Sequence, residues 1–309
     1  MPASSHSGTP TTVPFRISFD QTRSDAGARV QIATPWLAGA TTEEIFPPAI
    51  SLGETAGVQL YRSGDLLLGH AKEDFIPGEL ARRTESLYRR ILESTRGQHL
   101  YRIWNYVPDI NGHTAALEHY RSFCQGRSLA FEAAIGNQFE PQLPAASAVG
   151  CDGAEVAVVF AAGVHVPRHC ENPTQVPAYR YPAEHGPRAP AFARASVVAL
   201  GSRTLTFISG TSAIKGHRTI APGKLQGQLD CTVDNLRLIS QSAGLGSELG
   251  QTPSASRHFK IYLRHATDLT ATQTFLDQAL LRPGDRVTYL RSDICRAALN
   301  VEIEATIIS

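Results

Sequence analysis

Apolar and polar residues alternate along the end of the chain. Leu299, Val301 and Ile303 interleave with Asn300, Glu302 and Glu304, which predicts a strand with one buried face and two carboxylates on the other. The strand reading extends back over residues 291–305, so the thiol of Cys295 and the guanidinium of Arg296 share one short segment with Glu302 and Glu304. A nucleophile or proton carrier, an anion clamp and two acids thus lie together. Earlier segments read in the same way. Strands are predicted over Phe15–Ile32, Leu66–Ala71, Gln98–Tyr106 and Ala154–Phe160, and later over Ser196–Ala199, Thr204–Ile208 and His258–Leu263. Leu80, Leu87, Ile91 and Leu92 recur at helical spacing within Glu79–Glu93, with Arg82, Arg83, Arg89 and Arg90 left for water. Further helices are predicted at Ala115–Cys124, Gln226–Ser242 and Thr270–Ala279.

Read in order, the second half repeats the strand and helix sequence of the first, which points to two copies of one α+β fold. The expected division is a flexible Ser/Thr/Pro-rich tail over 1–14, an N-terminal domain over 15–170 and a C-terminal domain over 171–309 that carries the site. The connector from Val164 to Arg194 holds six prolines among Tyr179, Arg180, Tyr181, Arg188 and Arg194. So stiff a segment is expected to pack across a site.

Composition narrows the function classes. A chain of 309 residues with 42% hydrophobic residues can bury cores for two domains. A net charge of +1 offers no basic stripe for nucleic acid, and no run of ~18 apolar residues is present to span a membrane. The expected partner is a small molecule. Five widely spaced cysteines without a CxxC pair, and a start lacking the features of a signal peptide, read as reduced thiols in a cytoplasmic protein. The eleven histidines are scattered along the chain and no Gly-rich phosphate loop is present, so neither a metal nor another cofactor is expected. The polar loop Ser209–His217 supplies hydroxyls, with Gly210 permitting close backbone approach, and makes Thr211 and Ser212 candidates for binding a carboxylate.

The second half resembles the YjgF-like reactive-intermediate deaminases through Ile208-Ser-Gly-Thr211, Gln226-Gly-Gln228 with Asn235, Lys260–Leu263, and Cys295-Arg296 leading into Val301-Glu-Ile-Glu-Ala305. Over residues 60–309 the chain is more similar still to the chorismatases, larger relatives that act on chorismate in bacterial secondary metabolism. The blocks that carry this are residues 101–111, 120–127, 178–182, 186–188, 192–194 and 291–305. The resemblance implies two tandem YjgF-like α/β sandwich domains, mixed sheets with helices on one face, and a pyruvate-releasing enzyme acting on chorismate. It implies Glu302 as the proton donor to the enolpyruvyl group, with Glu304 the competing assignment. Arginines suit the two carboxylates of chorismate, which makes Arg121, Arg127, Arg188 and Arg296 the expected anchors, assisted by Tyr179. Cys295 stands where the product would be decided, and a thiol there favours 3-hydroxybenzoate over 4-hydroxybenzoate or a dihydroxycyclohexadiene carboxylate. An imine deaminase and a non-catalytic anion binder are the other readings, and the expected assembly is a monomer or a trimer.

Overall fold

The structure, a computed structural model, describes residues 12–20, 28–44, 46–250 and 255–309. Two seven-stranded mixed sheets dominate it, and their orders match. The first runs Thr12–Val13, Ala49–Thr55, Val58–Ser63, Leu66–Asp74, Glu155–Gly163, His99–Pro108, Ala145–Cys151. The second runs Arg168–Cys170, Ala195–Leu200, Arg203–Thr211, Val301–Ile308, Ser256–Leu263, Arg286–Arg291, Trp36–Gly39. In each sheet the strand after the first helix pairs in parallel with the strand after the second helix, and its other neighbour is antiparallel. This is the duplication that the chain order predicts. Strand Trp36–Gly39 crosses from the first half to edge the second sheet, and Arg168–Cys170 edges the same sheet from the other side.

Helices α1 (Leu80–Ser94) and α2 (His119–Ile135) cover the outer face of the first sheet, and α3 (Leu225–Ser242) and α4 (Leu269–Ala279) cover that of the second. The inner faces pack on each other around Trp104, Tyr106, Phe207, Tyr262 and Leu290. A small sheet of Phe15–Ser18, Ala28–Gln31 and Thr42–Glu43 adds Phe15, Ile17 and Val30 to that core. In α1, Leu80, Leu87, Tyr88 and Ile91 are buried at helical spacing, while Arg83 and Arg89 pair with Glu79 and Glu85 outside. Helix α2 lies close against α1 at Gly126, where a Cβ would meet the Ala81 carbonyl oxygen at 2.1 Å.

Three expectations are corrected. The helix predicted at Ala115–Cys124 starts only at His119 and runs on to Ile135, because Ala115 and Ala116 take φ of 49° and 67° and turn a short hairpin instead. The strand predicted over residues 291–305 is two strands, ending at Arg291 and resuming at Val301, with Cys295 and Arg296 on the loop between them. Phe15–Ile32 forms two short parallel strands rather than one, and its residues 21–27 lie outside the described residues. Of the expected tail, residues 1–11 also lie outside them, whereas Thr12 and Val13 pair with Ile50 and Ala49.

Candidate active site

The site lies at a seam. Strand Ala145–Cys151, the free edge of the first sheet, makes single bridges to Ala193 of the connector and to Ile294 of the last loop. Ser209 fastens this seam, its Oγ accepting from the Ala146 N–H at 2.8 Å and donating to the Ala193 carbonyl at 2.6 Å. Where strand Arg203–Thr211 pairs with Val301–Ile308, the register passes from Ile208 opposite Ala305 to Thr211 opposite Ile303. The extra residue is a bulge at Ser209-Gly210, placed beside Glu302. A Cβ on Gly210 would sit 2.0 Å from Glu302 Oε1, so only glycine leaves that carboxyl its position.

A cavity of about 270 Å³ opens there, close to the lower end of the ~300–1,000 Å³ usual for ligand pockets. Its walls come from both halves: Tyr120 and Arg121 of α2, Tyr181, Phe192 and Arg194 of the connector, and Ser212, Cys295, Arg296 and Glu302 of the second unit. A narrow recess continues behind Glu302 and Cys295 to Arg127. A larger cavity of about 580 Å³, near Arg89, Arg96 and His169, holds none of the predicted site residues.

Glu302 and Glu304 share the inner face of one strand, and their surroundings push them apart. Glu304 is buried between Lys260 Nζ at 2.6 Å and Arg102 Nη2 at 2.7 Å. Burial alone would raise its pKa, but Lys260 and Arg102 outweigh burial and hold it at about 2. Lys260 also meets Glu43 at 2.5 Å, and its pKa is above the ordinary value because these two carboxylates overcome the opposing effect of burial. Glu302 has no such partner. Its Oε1 is buried without a hydrogen bond, and Oε2 meets only the Ser212 hydroxyl at 3.5 Å and the Cys295 thiol at 4.0 Å. Burial, then the charge of Glu304, lifts its pKa to about 8, so it carries a proton at neutral pH. The two acids that the sequence pattern leaves equivalent are thus one fixed anion and one buried acid facing a pocket.

The Cys295 thiol is also held protonated, by burial first and then by Glu302, and it is not a thiolate nucleophile. Burial, followed by Cys124 and Cys295, raises the Tyr120 hydroxyl well above its usual range, so it stays a neutral donor. Arg296 donates to the His217 carbonyl at 2.8 Å and lies over the Tyr181 ring at 5.3 Å. Arg194 donates to the Tyr181 hydroxyl at 2.7 Å and lies over Phe192 at 5.0 Å.

Among the residues predicted from sequence, Arg121, Ser212, Cys295, Arg296 and Glu302 come together in this pocket, and Arg127 closes its recess. Arg127 is 3% exposed, with Nε and one Nη lacking a partner and its guanidinium near Tyr88 and Phe131. Three others lie apart from the pocket. Thr211 turns its hydroxyl to the Ser209 carbonyl within the bulge. Tyr179 packs on the helix-side core of the first sheet, beneath Arg180. Arg188 pairs with Glu132 of α2 at 2.9 Å. Sequence reasoning did not select Arg194, Tyr181, Phe192 or Tyr120. A signal was present in the connector, where Pro190, Phe192 and Arg194 alternate with alanines and all three even positions line the pocket.

Comparison with known proteins identifies relatives of this chain. The family model described as "Chorismatase FkbO/Hyg5-like, N-terminal" matches residues 46–162. A 3-hydroxybenzoate synthase of Streptomyces hygroscopicus is 38% identical over 228 residues, which are 70% of this chain and 66% of that protein. The match thus spans just under two thirds of that relative's length. A chorismatase of Streptomyces rapamycinicus is 33% identical over 268 residues, 82% of this chain and 78% of the relative. The crystal structure of a chorismatase, 29% identical, superposes with a TM-score of 0.81 and covers 99% of this chain and 95% of its own. With relatives of this similarity along most of its length and the same fold throughout, the chain belongs to the chorismatase family.

Proposed function

We propose that the protein converts chorismate to pyruvate and 3-hydroxybenzoate. The observation that carries this reading is the buried, protonated Glu302 facing a pocket walled by Arg121, Arg194 and Arg296. Chorismate presents two carboxylates to such a wall and a weakly basic methylene carbon to such an acid. Protonation of that carbon by Glu302 gives an oxocarbenium-like centre; the neighbouring ring hydroxyl attacks the ring carbon that bears the ether oxygen as that C–O bond breaks, pyruvate leaves, and the hydroxyl proton passes to the Glu302 carboxylate. The epoxide so formed opens to keep its oxygen on the carbon that pyruvate left, Glu302 protonating that oxygen, and the Glu302 carboxylate then removes the hydrogen of the same carbon, which gives the aromatic 3-hydroxy product and restores the acid. Atoms balance without added water. One assay tests the reading: incubation with chorismate followed by product separation. Pyruvate with a dihydroxycyclohexadiene carboxylate would replace the aromatising outcome by hydrolysis, and no pyruvate at all would remove the enzyme reading.

The thiol of Cys295 stands 4.0 Å from Glu302 Oε2 and is protonated, which supports a proton relay to Glu302 over nucleophilic attack. Cys295→Ala is expected to shift the product ratio away from 3-hydroxybenzoate while pyruvate release continues; an unchanged ratio would take Cys295 out of the product decision. Gly210→Ala is expected to lower kcat/KM for pyruvate release about 100-fold, because the new methyl group displaces the Glu302 carboxyl. Activity near wild type would show that Glu302 need not occupy that position. Because both halves of one chain line the pocket, a monomer supplies a complete site. The five free cysteines fit a cytoplasmic setting.

A further inference from the structure

At the rim of the pocket the fold gathers three groups from two segments that are distant in sequence. Glu184 and His185 end a short turn of the connector, and His217 sits in the tight turn between strands Ile214–Lys215 and Arg218–Thr219. His185 Nε2 lies 3.0 Å from His217 Nδ1, and the same Glu184 oxygen is 3.5 Å from the first nitrogen and 3.2 Å from the second. A single N–H···N hydrogen bond between the imidazoles explains one of these contacts. It does not explain why a carboxylate oxygen completes the triangle. Zinc bound tetrahedrally at ~2.0–2.1 Å has ligand atoms about 3.3 Å apart, and all three edges of the triangle fall close to that length. Two imidazoles and one carboxylate are also a donor set that zinc accepts, with the fourth position left open.

The place matters as much as the geometry. His185 lines the pocket, its ring is 5.1 Å from that of Tyr181, and Arg296 donates to the His217 backbone. We propose that Glu184, His185 and His217 form a zinc site that pins the connector to the 214–219 hairpin across the mouth of the pocket and so restrains substrate entry. The Arg296 guanidinium nearby opposes a bound cation and keeps the binding reversible. Zinc binding itself requires nothing of the reaction, whereas its effect on turnover rests on the function proposed above.

The test uses the full chain stripped of metal with a chelator. Calorimetric titration with zinc chloride, without chorismate, is expected to show one zinc per chain, and His217→Ala and Glu184→Gln are each expected to weaken it at least about tenfold. No binding by the wild type, or equal binding by both variants, overturns the site. In zinc-free buffer His217→Ala is expected to release pyruvate as the wild type does, and added zinc should lower kcat/KM in the wild type and not in the variant. Zinc bound at these residues with kcat/KM unchanged overturns the restraint on entry. Failure of the zinc-free protein to release pyruvate from chorismate would sink the reaction and leave the calorimetric result standing.

Discussion

Pyruvate release from chorismate by Glu302→Gln is expected to fall roughly 10²–10⁴-fold, with KM little changed, because the amide keeps the size and polarity of the acid and cannot deliver its proton. The pH dependence follows from the same group. The folded pKa of Glu302 is about 8, raised by burial and by Glu304, and the donor is the protonated form. Activity dependent on that form is complete below this value and declines as pH rises through about 8. A kcat/KM profile is therefore expected to have an alkaline limb near that pH, reporting the free enzyme, and Glu302→Gln is expected to lose the limb together with the rate. A variant that kept both would move the proton donor to another residue.

Lys260→Met is expected to cost about 3–5 kcal/mol of stability and to lower Tm on the order of 10 °C in thermal unfolding. Lys260 is buried between Glu43 and Glu304, and methionine of similar length leaves both carboxylates without it; Arg102 still meets Glu304. In the variant these acids would be raised above their unfolded pKa values. Their protonated forms are tolerated below the unfolded value, and stability is lost as pH rises through the folded one. The deficit should thus be greatest near neutral pH and shrink in acid, and adding Glu43→Gln should recover part of it. An unchanged Tm would mean that the ion pairs contribute little against their desolvation.

The duplicated fold was legible because most of its long strands and helices bury one regular face, as α1 and Val301–Ile308 do. The hairpin at residues 113–118 was not, since alanine at φ of 49° and 67° has no signature in composition. At the site, the alternation after Leu299 placed Glu302 and Glu304 on one side of a strand but left them indistinguishable. What separates them, Lys260 and Arg102, comes from strands distant in sequence. Arg188 and Tyr179 carried the right chemistry at positions that face away from the pocket, while Arg194, one short stretch further along, faces into it. His217 meets the adjacent Glu184 and His185 through tertiary folding alone.

The Lys260–Glu304 pair has one more effect. The two strands pair with Lys260 directly opposite Glu304 and Tyr262 opposite Glu302. A slip of two residues along Val301–Ile308 would keep its apolar side buried, so hydrophobicity does not forbid it. A slip one way sets Lys260 opposite Thr306 and brings Glu304 to the place of Glu302, leaving the buried ammonium without its counterion; a slip the other way sets Lys260 opposite Glu302 and leaves Glu304 without Lys260. The ion pair therefore acts as an address label on the strand, selecting which of two identical side chains is delivered to the pocket as the acid.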